Sequence, residues 1–277
     1  MLDRRITSVE NRWVKLARAL RSPRGRAKHS AFLVEGTRAA GEAMSSGRAL
    51  ACLIDEALAK RAHVAEVLAR AQHGAIETLL VESMLFATLC ETASPQGVLI
   101  VVSDIALPLG TLQRARPQLV VISDGIQDPG NMGTLIRLAD GVGANAFVAT
   151  EGSVDLYNDK VVRASVGSLF HLAVAQNVQP AALLAMLTES NYSIVAAEPR
   201  GTSVHFDFRY QMPLAVVFGN EGAGLSVTWR EAAHLVRIPL WGRAESLNVS
   251  ISAGVLLYEI VRQWQGGLLV PARSPML

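Results

Sequence analysis

Between residues 31 and 238 the chain repeatedly sets a short apolar run, about the length of a strand, ahead of a longer stretch of helical period. The runs fall at 32 to 34, 50 to 54, 76 to 81 and 97 to 102, then at 119 to 122, 146 to 149, 192 to 197, 214 to 218 and 235 to 238. Helical stretches such as Ala57 to Ala69 and Glu82 to Leu89 separate the early runs, and Ser246 to Gln265 predicts the longest helix. Short apolar runs bounded by turn residues read as buried strands, and alternation with helices gives an α/β class. Between Asp104 and Gln118 two prolines and a glycine interrupt any period, which predicts a linker at 105–117 between a domain at 1–104 and another at 118–277. With half of its 277 residues apolar, the chain has enough core-forming side chains for both.

No apolar run reaches the roughly 18 residues that cross a bilayer, and Met1-Leu2-Asp3-Arg4-Arg5 is polar at once, so the expected location is the cytoplasm, with no membrane association. The two cysteines, Cys52 and Cys90, have no Cys or His at ligand spacing. They predict neither a disulfide framework nor a metal site, and both read as buried packing residues.

Charge is uneven. Residues 1 to 28 hold nine basic side chains against Asp3 and Glu10, so the remainder carries a net −5 within a whole-chain charge of +2. Such a segment is what a polyanion binder needs, because each neutralised phosphate releases counterions; it also reads as a solvated helix face. Thr7-Ser8-Val9-Glu10 has the form of a capping box for a basic amphipathic helix carrying Trp13, Leu16 and Leu20. Arg21-Ser22-Pro23-Arg24-Gly25-Arg26 then predicts a flexible basic loop in which Arg21, Arg24, Arg26 and Lys28 are free to meet phosphates.

Three segments concentrate polar residues beside apolar runs. The first, Asp124 to Arg137, leaves a strand, turns at Asp128-Pro129-Gly130-Asn131 and enters a helix, with Asn131 and Arg137 near its start. Ligands of open α/β sheets bind at that end of a strand, although the same residues serve as turn and cap chemistry. The second, Phe218-Gly219-Asn220-Glu221-Gly222-Ala223-Gly224, is a glycine-rich turn after a strand, with neither dinucleotide nor phosphate-loop spacing. Gly141-Val142-Gly143-Ala144-Asn145-Ala146 does satisfy G-x-G-x-x-A, but it lies after a helix and before a strand, which predicts a helix-ending turn. The third runs from Ile238-Pro239 to Gly254, with Ser246 as the expected helix cap and small residues suited to close helix packing. Asn248, among apolar neighbours, requires a hydrogen-bond partner.

In this order the three segments resemble the motifs of the SpoU/TrmH family of RNA ribose 2′-O-methyltransferases, within the SPOUT superfamily. Phe32-Leu33-Val34-Glu35-Gly36-Thr37-Arg38 is similar to that family's L30e-like substrate-binding domain. The resemblance implies an α/β fold: a C-terminal SPOUT domain with a deep trefoil knot plus the smaller N-terminal domain. It implies S-adenosylmethionine as methyl donor, held by Gly219, Asn220, Gly222, Ile238, Leu240, Leu247 and Asn248. It implies a catalytic set of Asn131, Arg137, Glu221, Ser246 and Asn248, with Arg38 joining the RNA contacts. It also implies a homodimer through the knot domain in which both subunits shape the active site; Trp241 covers the donor pocket or packs at that interface, with packing the expected role. A guanidinium stays protonated, so Arg137 is expected to orient the RNA and stabilise a developing alkoxide rather than act as a base. Structured ribosomal RNA, 23S first, is the expected substrate. Transfer RNA, or a non-catalytic RNA-binding role on the same fold, stays open at this stage.

Overall fold

The structure, a computed structural model, describes Arg5–Gln265; Arg4 of the basic segment, the residues before it and the part of the second predicted domain beyond Gln265 lie outside the described residues. The chain divides into two compact units. One takes the chain up to Ile105 together with Tyr157–Phe170, and the other takes Ala106–Leu156 and the chain from His171 onward.

The first unit runs β1 (Arg5–Ile6), α1 (Arg12–Leu20), α2 (Pro23–His29), β2 (Ala31–Glu35), α3 (Thr37–Ser45), β3 (Ala49–Asp55), α4 (Ala62–His73), β4 (Glu77–Val81), α5 (Ser83–Ala87) and β5 (Val98–Ser103). Its sheet has the order β1-β4-β3-β5-β2, with β5 antiparallel to both neighbours. Side chains alternate across a strand, so Leu33, Leu53, Leu79, Leu99 and Val101 share one face. That face is packed by Val14, Ala17 and Leu20 of α1 and by Leu85 and Phe86 of α5.

Two expectations near the N-terminus are corrected. The cap of α1 is Asn11, whose Oδ1 accepts the Trp13 N–H at 2.9 Å, because Arg5–Ile6 is drawn out as a strand beside β4. The basic loop is instead α2, capped by Ser22, whose Oγ accepts the Gly25 N–H at 3.1 Å. Pro23 suits its first turn, where no N–H is needed. The helix expected from Ala57 begins only at Ala62, since Asp55 Oδ1 takes the Ala57 N–H at 3.0 Å in a turn. The helix expected from Glu82 spans Ser83–Ala87, with Glu82 as its cap.

The second unit contains α6 (Leu109–Ala115), β6 (Leu119–Asp124), α7 (Pro129–Gly141) and β7 (Ala146–Thr150). After α8 (Asp159–Ser165), which belongs to the first unit, come β8 (Ala173–Val178), α9 (Pro180–Glu189), β9 (Ser193–Ala197), β10 (Ser203–Val204), β11 (Leu214–Gly219), α10 (Val227–Ala232), β12 (His234–Arg237) and α11 (Val249–Gln265). All seven strands are parallel, in the order β10-β12-β9-β11-β6-β7-β8. The predicted linker is in part the helix α6, anchored by buried Leu112. G-x-G-x-x-A is the end of α7, with Gly143 at φ +73 and β7 following.

Parallel strands covered on both faces are apolar along most of their length, with Ser123, Asp124 and Thr150 as polar exceptions at the carboxyl ends of β6 and β7. Every residue of β6, β7 and β11 is buried accordingly. Cys52 is buried in β3 and Cys90 partly so, both unpaired; burial pushes each thiol up to about 12. The thiolate is therefore scarce at neutral pH, and neither side chain is a nucleophile there.

Candidate functional site

The chain crosses the second sheet from β6 through β7 to β8 on one side, then fills the other side with β9, β11 and β12. The crossing direction therefore reverses beside β6, and the carboxyl ends of β6 and β11 lie at that switch point, where α/β sheets bind ligands. The parallel register sets Gly219 against Asp124, which brings the first two polar segments to one level.

Each turn is built by its own side chains. Asp128 caps α7 by accepting the Asn131 N–H at 2.7 Å, which leaves the Asn131 side chain available. Asn220 is spent on its own loop and the one beside it: Oδ1 accepts the N–H groups of Gly222 and Ala223, both at 2.8 Å, and Nδ2 donates to Gly125 O, after β6, at 2.7 Å. Beneath them buried Asp124 accepts the Ser226 N–H at 2.7 Å and the Thr150 hydroxyl at 3.2 Å. A buried carboxylate held this way stiffens the floor under both loops.

The three segments then meet through one chain of hydrogen bonds. Asn131 Nδ2 donates to Glu221 Oε1 at 2.9 Å, and Asn248 Nδ2 donates to Asn131 Oδ1 at 3.0 Å. Asn248 Oδ1 accepts the N–H of Ser250 at 2.9 Å, so Asn248 rather than Ser246 caps α11, which starts at Val249. Its partner requirement is met with both halves of the amide in use. Ser250 Oγ, buried, adds a bond to Asn131 O at 3.2 Å. Gly254 lets α11 approach α7 until the position of its missing Cβ lies 3.7 Å from Leu138.

Beside this network a cleft is lined by Ala197, Glu198 and Pro199 after β9, by Val236, Ile238 and Leu240, by Ser246 and Leu247, and by Ser252 and Leu256 of α11. Ile238, Leu240, Leu247 and Ser246 are thus brought together, whereas Gly219, Asn220, Gly222 and Asn248 are outside that lining. Sequence reasoning missed Ala197 to Pro199. Their position at the carboxyl end of a strand was the available signal, but without a glycine run or polar cluster they read as an ordinary turn. Trp241, between Leu240 and Ser246, is 88 % exposed.

Arg137 does not join the network. It is exposed and has no hydrogen bond or ion pair among the described residues. The reason is helical geometry: six residues from Asn131 is about 240° of rotation, well off the Asn131 face. In the first unit the basic residues separate into two groups. Arg26 is buried and donates to Leu20 O at 3.0 Å, and Arg21 pairs with Glu91 and, at 3.4 Å, Asp159. Arg24, Lys28 and Arg38 are exposed.

Comparison with known proteins adds names to this geometry. A family model described as the SpoU rRNA Methylase family matches residues 118–258, and one described as an MRM3-like substrate binding domain matches residues 11–100. The chain is 31% identical over 270 residues to the 23S rRNA (guanosine(2553)-2′-O)-methyltransferase of Bacillus subtilis (strain 168), covering 93% of this chain and 99% of that protein. It is 32% identical over 267 residues to the 23S rRNA (uridine(2479)-2′-O)-methyltransferase of Streptomyces viridochromogenes, covering 94% and 92%. The AdoMet-bound rRNA methyltransferase of Sinorhizobium meliloti superposes with a TM-score of 0.82 at 29% identity, covering 96% of this chain and 99% of that one.

Proposed function

The chain belongs to the SpoU rRNA methylase family, and from that premise we propose that it methylates a ribose 2′-hydroxyl of 23S ribosomal RNA. It is an S-adenosylmethionine-dependent RNA methyltransferase. The observation that carries the reading is the union of Asn131, Glu221 and Asn248 in one hydrogen-bonded chain at the switch point, beside an apolar cleft.

The cleft suits the donor chemically. Val236, Ile238, Leu240, Leu247 and Leu256 offer apolar walls to an adenine, and Ser246, Ser252 and Glu198 supply the few polar groups that fix orientation. When bound, the donor supplies an electrophilic methyl on a sulfonium. The residues of the chain do the rest. Asn131 and Asn248 hold the Glu221 loop in one conformation beside the segment that carries Ser246 and Leu247 into the cleft. Arg137, exposed, orients the RNA backbone and stabilises the charge that develops as the hydroxyl loses its proton. Exposed Arg24, Lys28 and Arg38 in the first unit provide phosphate contacts, whereas Arg26 is withdrawn from that role by burial.

The active form is a homodimer through the second unit, threaded as the trefoil knot characteristic of the fold. Ile251, Val255 and Tyr258 support it: spaced to share one face of α11, they are 58 %, 38 % and 55 % exposed. Ile251→Glu combined with Tyr258→Glu is expected to convert the sedimenting dimer to monomer; an unchanged dimer places the interface elsewhere. A dimer also offers Arg137 a role at the partner's donor cleft, which its separation from the local network calls for. The reaction is placed in the cytoplasm, and no helix among the described residues is long and apolar enough to cross a membrane.

Mapping ribose methylation across total RNA from cells with and without the protein tests the reading. One 2′-O-methyl group should vanish from 23S ribosomal RNA. A loss confined to transfer RNA rejects the substrate, and no loss anywhere rejects the activity.

A further inference from the structure

Glu198 is the one charged side chain among the residues lining the cleft. It follows β9 at the carboxyl edge of the sheet, and its backbone is fastened there: its N–H donates to Val236 O at 2.9 Å, and its carbonyl accepts the Gly201 N–H at 2.9 Å. Gly201 is pressed against β12, with the position of a Cβ only 2.7 Å from Val236 C, so this turn has little freedom to move.

The carboxylate is only 17 % exposed and accepts no hydrogen bond from the described residues. Arg230 Nη2 forms an ion pair with it at 3.8 Å, beyond hydrogen-bond reach, from a side chain 52 % exposed. A carboxylate largely withdrawn from water into apolar walls is costly unless donors complete it. Its acceptor capacity is therefore free of hydrogen bonds, on a tightly held turn and in the lining of the cleft that the methyl donor fits. Hydroxyl pairs are suitable donors: an acid just past a strand of an open α/β sheet is a known solution for a nucleoside ribose.

We propose that Glu198 binds the ribose hydroxyls of the methyl donor and fixes the nucleoside in the cleft. This rests on the methyltransferase reading and adds a residue and a subsite to it. Hydrogen bonds from hydroxyls to an ionised acceptor are the strong class, so the contact should be worth about tenfold or more in affinity. It acts on binding of the nucleoside, not on the methyl itself, so product and donor should depend on it alike.

The test is calorimetry on the full-length protein and its Glu198→Gln form, with S-adenosylhomocysteine, its 2′-deoxy and 3′-deoxy analogues, and 5′-methylthioadenosine, which lacks the amino-acid end. The parent protein should bind at least one deoxy analogue about tenfold or more weakly than S-adenosylhomocysteine. Glu198→Gln should bind all three with nearly equal, reduced affinity, and should lose affinity for methylthioadenosine too. Equal discrimination by both proteins overturns the proposal. So does a Glu198→Gln loss confined to ligands with the amino-acid end, which assigns the carboxylate to the ammonium. Arg230→Ala should keep the discrimination; if it abolishes it, Glu198 serves Arg230 and not the ligand. Failure of the parent protein to bind S-adenosylhomocysteine at all brings down the donor reading, an outcome distinct from each of these.

Discussion

The Arg137→Ala protein is expected to bind S-adenosylhomocysteine as tightly as its parent and to methylate its RNA at least about a hundredfold more slowly, the usual effect of removing a group that stabilises developing charge. Arg137 is exposed on α7 and has no partner among the described residues, so its removal leaves no buried group stranded and opens no cavity. Folding should be unaffected, with a thermal midpoint within a degree or two of the parent's. Arg137→Lys keeps the charge but loses the planar fork, and should recover part of the rate and not all of it. Single-turnover methylation with saturating donor reads the chemical step directly. Full activity in Arg137→Ala removes this side chain from the reaction. A large drop in thermal stability makes it a structural residue instead.

Gly219→Ala should damage both folding and donor binding. A Cβ at this position would lie 2.6 Å from the Gly224 carbonyl carbon and 2.7 Å from the Leu225 nitrogen, and both obstacles are backbone. The two ends of the loop are tied to each other, Asn220 N–H to Gly224 O at 2.9 Å and Gly224 N–H to Asn220 O at 3.0 Å, so neither can retreat without breaking the turn. Overpacking of this kind costs roughly 1–3 kcal/mol. The displaced loop also takes Glu221 away from Asn131. We expect a lower thermal midpoint, at least about tenfold weaker S-adenosylhomocysteine binding and methylation reduced to background, taking a tenfold change as about 1.4 kcal/mol. Gly222→Ala is the control: its Cβ would meet only Asn220 Oδ1, at 3.6 Å, and it should behave nearly as the parent. Equal behaviour of the two variants would mean that the loop relaxes freely and that its closure does not shape the site.

The central strands were legible because a strand buried on both faces is apolar along most of its length. Val120-Val121-Ile122 and Leu214-Ala215-Val216-Val217-Phe218 announce themselves for that reason. The edge strands were not. β8 ends in Gln176-Asn177-Val178, and β10 has two residues, so neither carries enough apolar pattern to stand out from a loop. α6 was hidden by Pro108, Gly110 and Pro117, although a proline just before a helix does not prevent it.

In the site, Asn131, Glu221 and Asn248 were legible as polar residues gathered at the ends of apolar runs, and the structure joins them. What the pattern concealed was direction. Ser246 and Asn248 are equally good caps in a sequence, and only the path of the chain chooses Asn248. Arg24 and Arg26 look interchangeable in a basic segment, but α2 turns one outward and buries the other against Leu20 O. Glu198 resembled any acid in a turn, because what distinguishes it is the apolar wall contributed by residues from Val236 to Leu256, much further along the chain.

The stretch Tyr157–Phe170 sits between β7 and β8 of the second unit in sequence, yet it packs with the first, where the Tyr157 ring stacks on Phe32 at 4.2 Å. The polypeptide therefore passes from one unit to the other three times, at 105/106, 156/157 and 170/171. Neither half is an unbroken module that a single cut releases intact. A fragment beginning at Ala106 would keep α8 and Tyr157 while discarding the sheet that covers them, and one ending at Ile105 would leave Phe32 bare. Any exchange of the first unit, by recombination or by design, has to carry both pieces together, which ties its inheritance to that of the second unit.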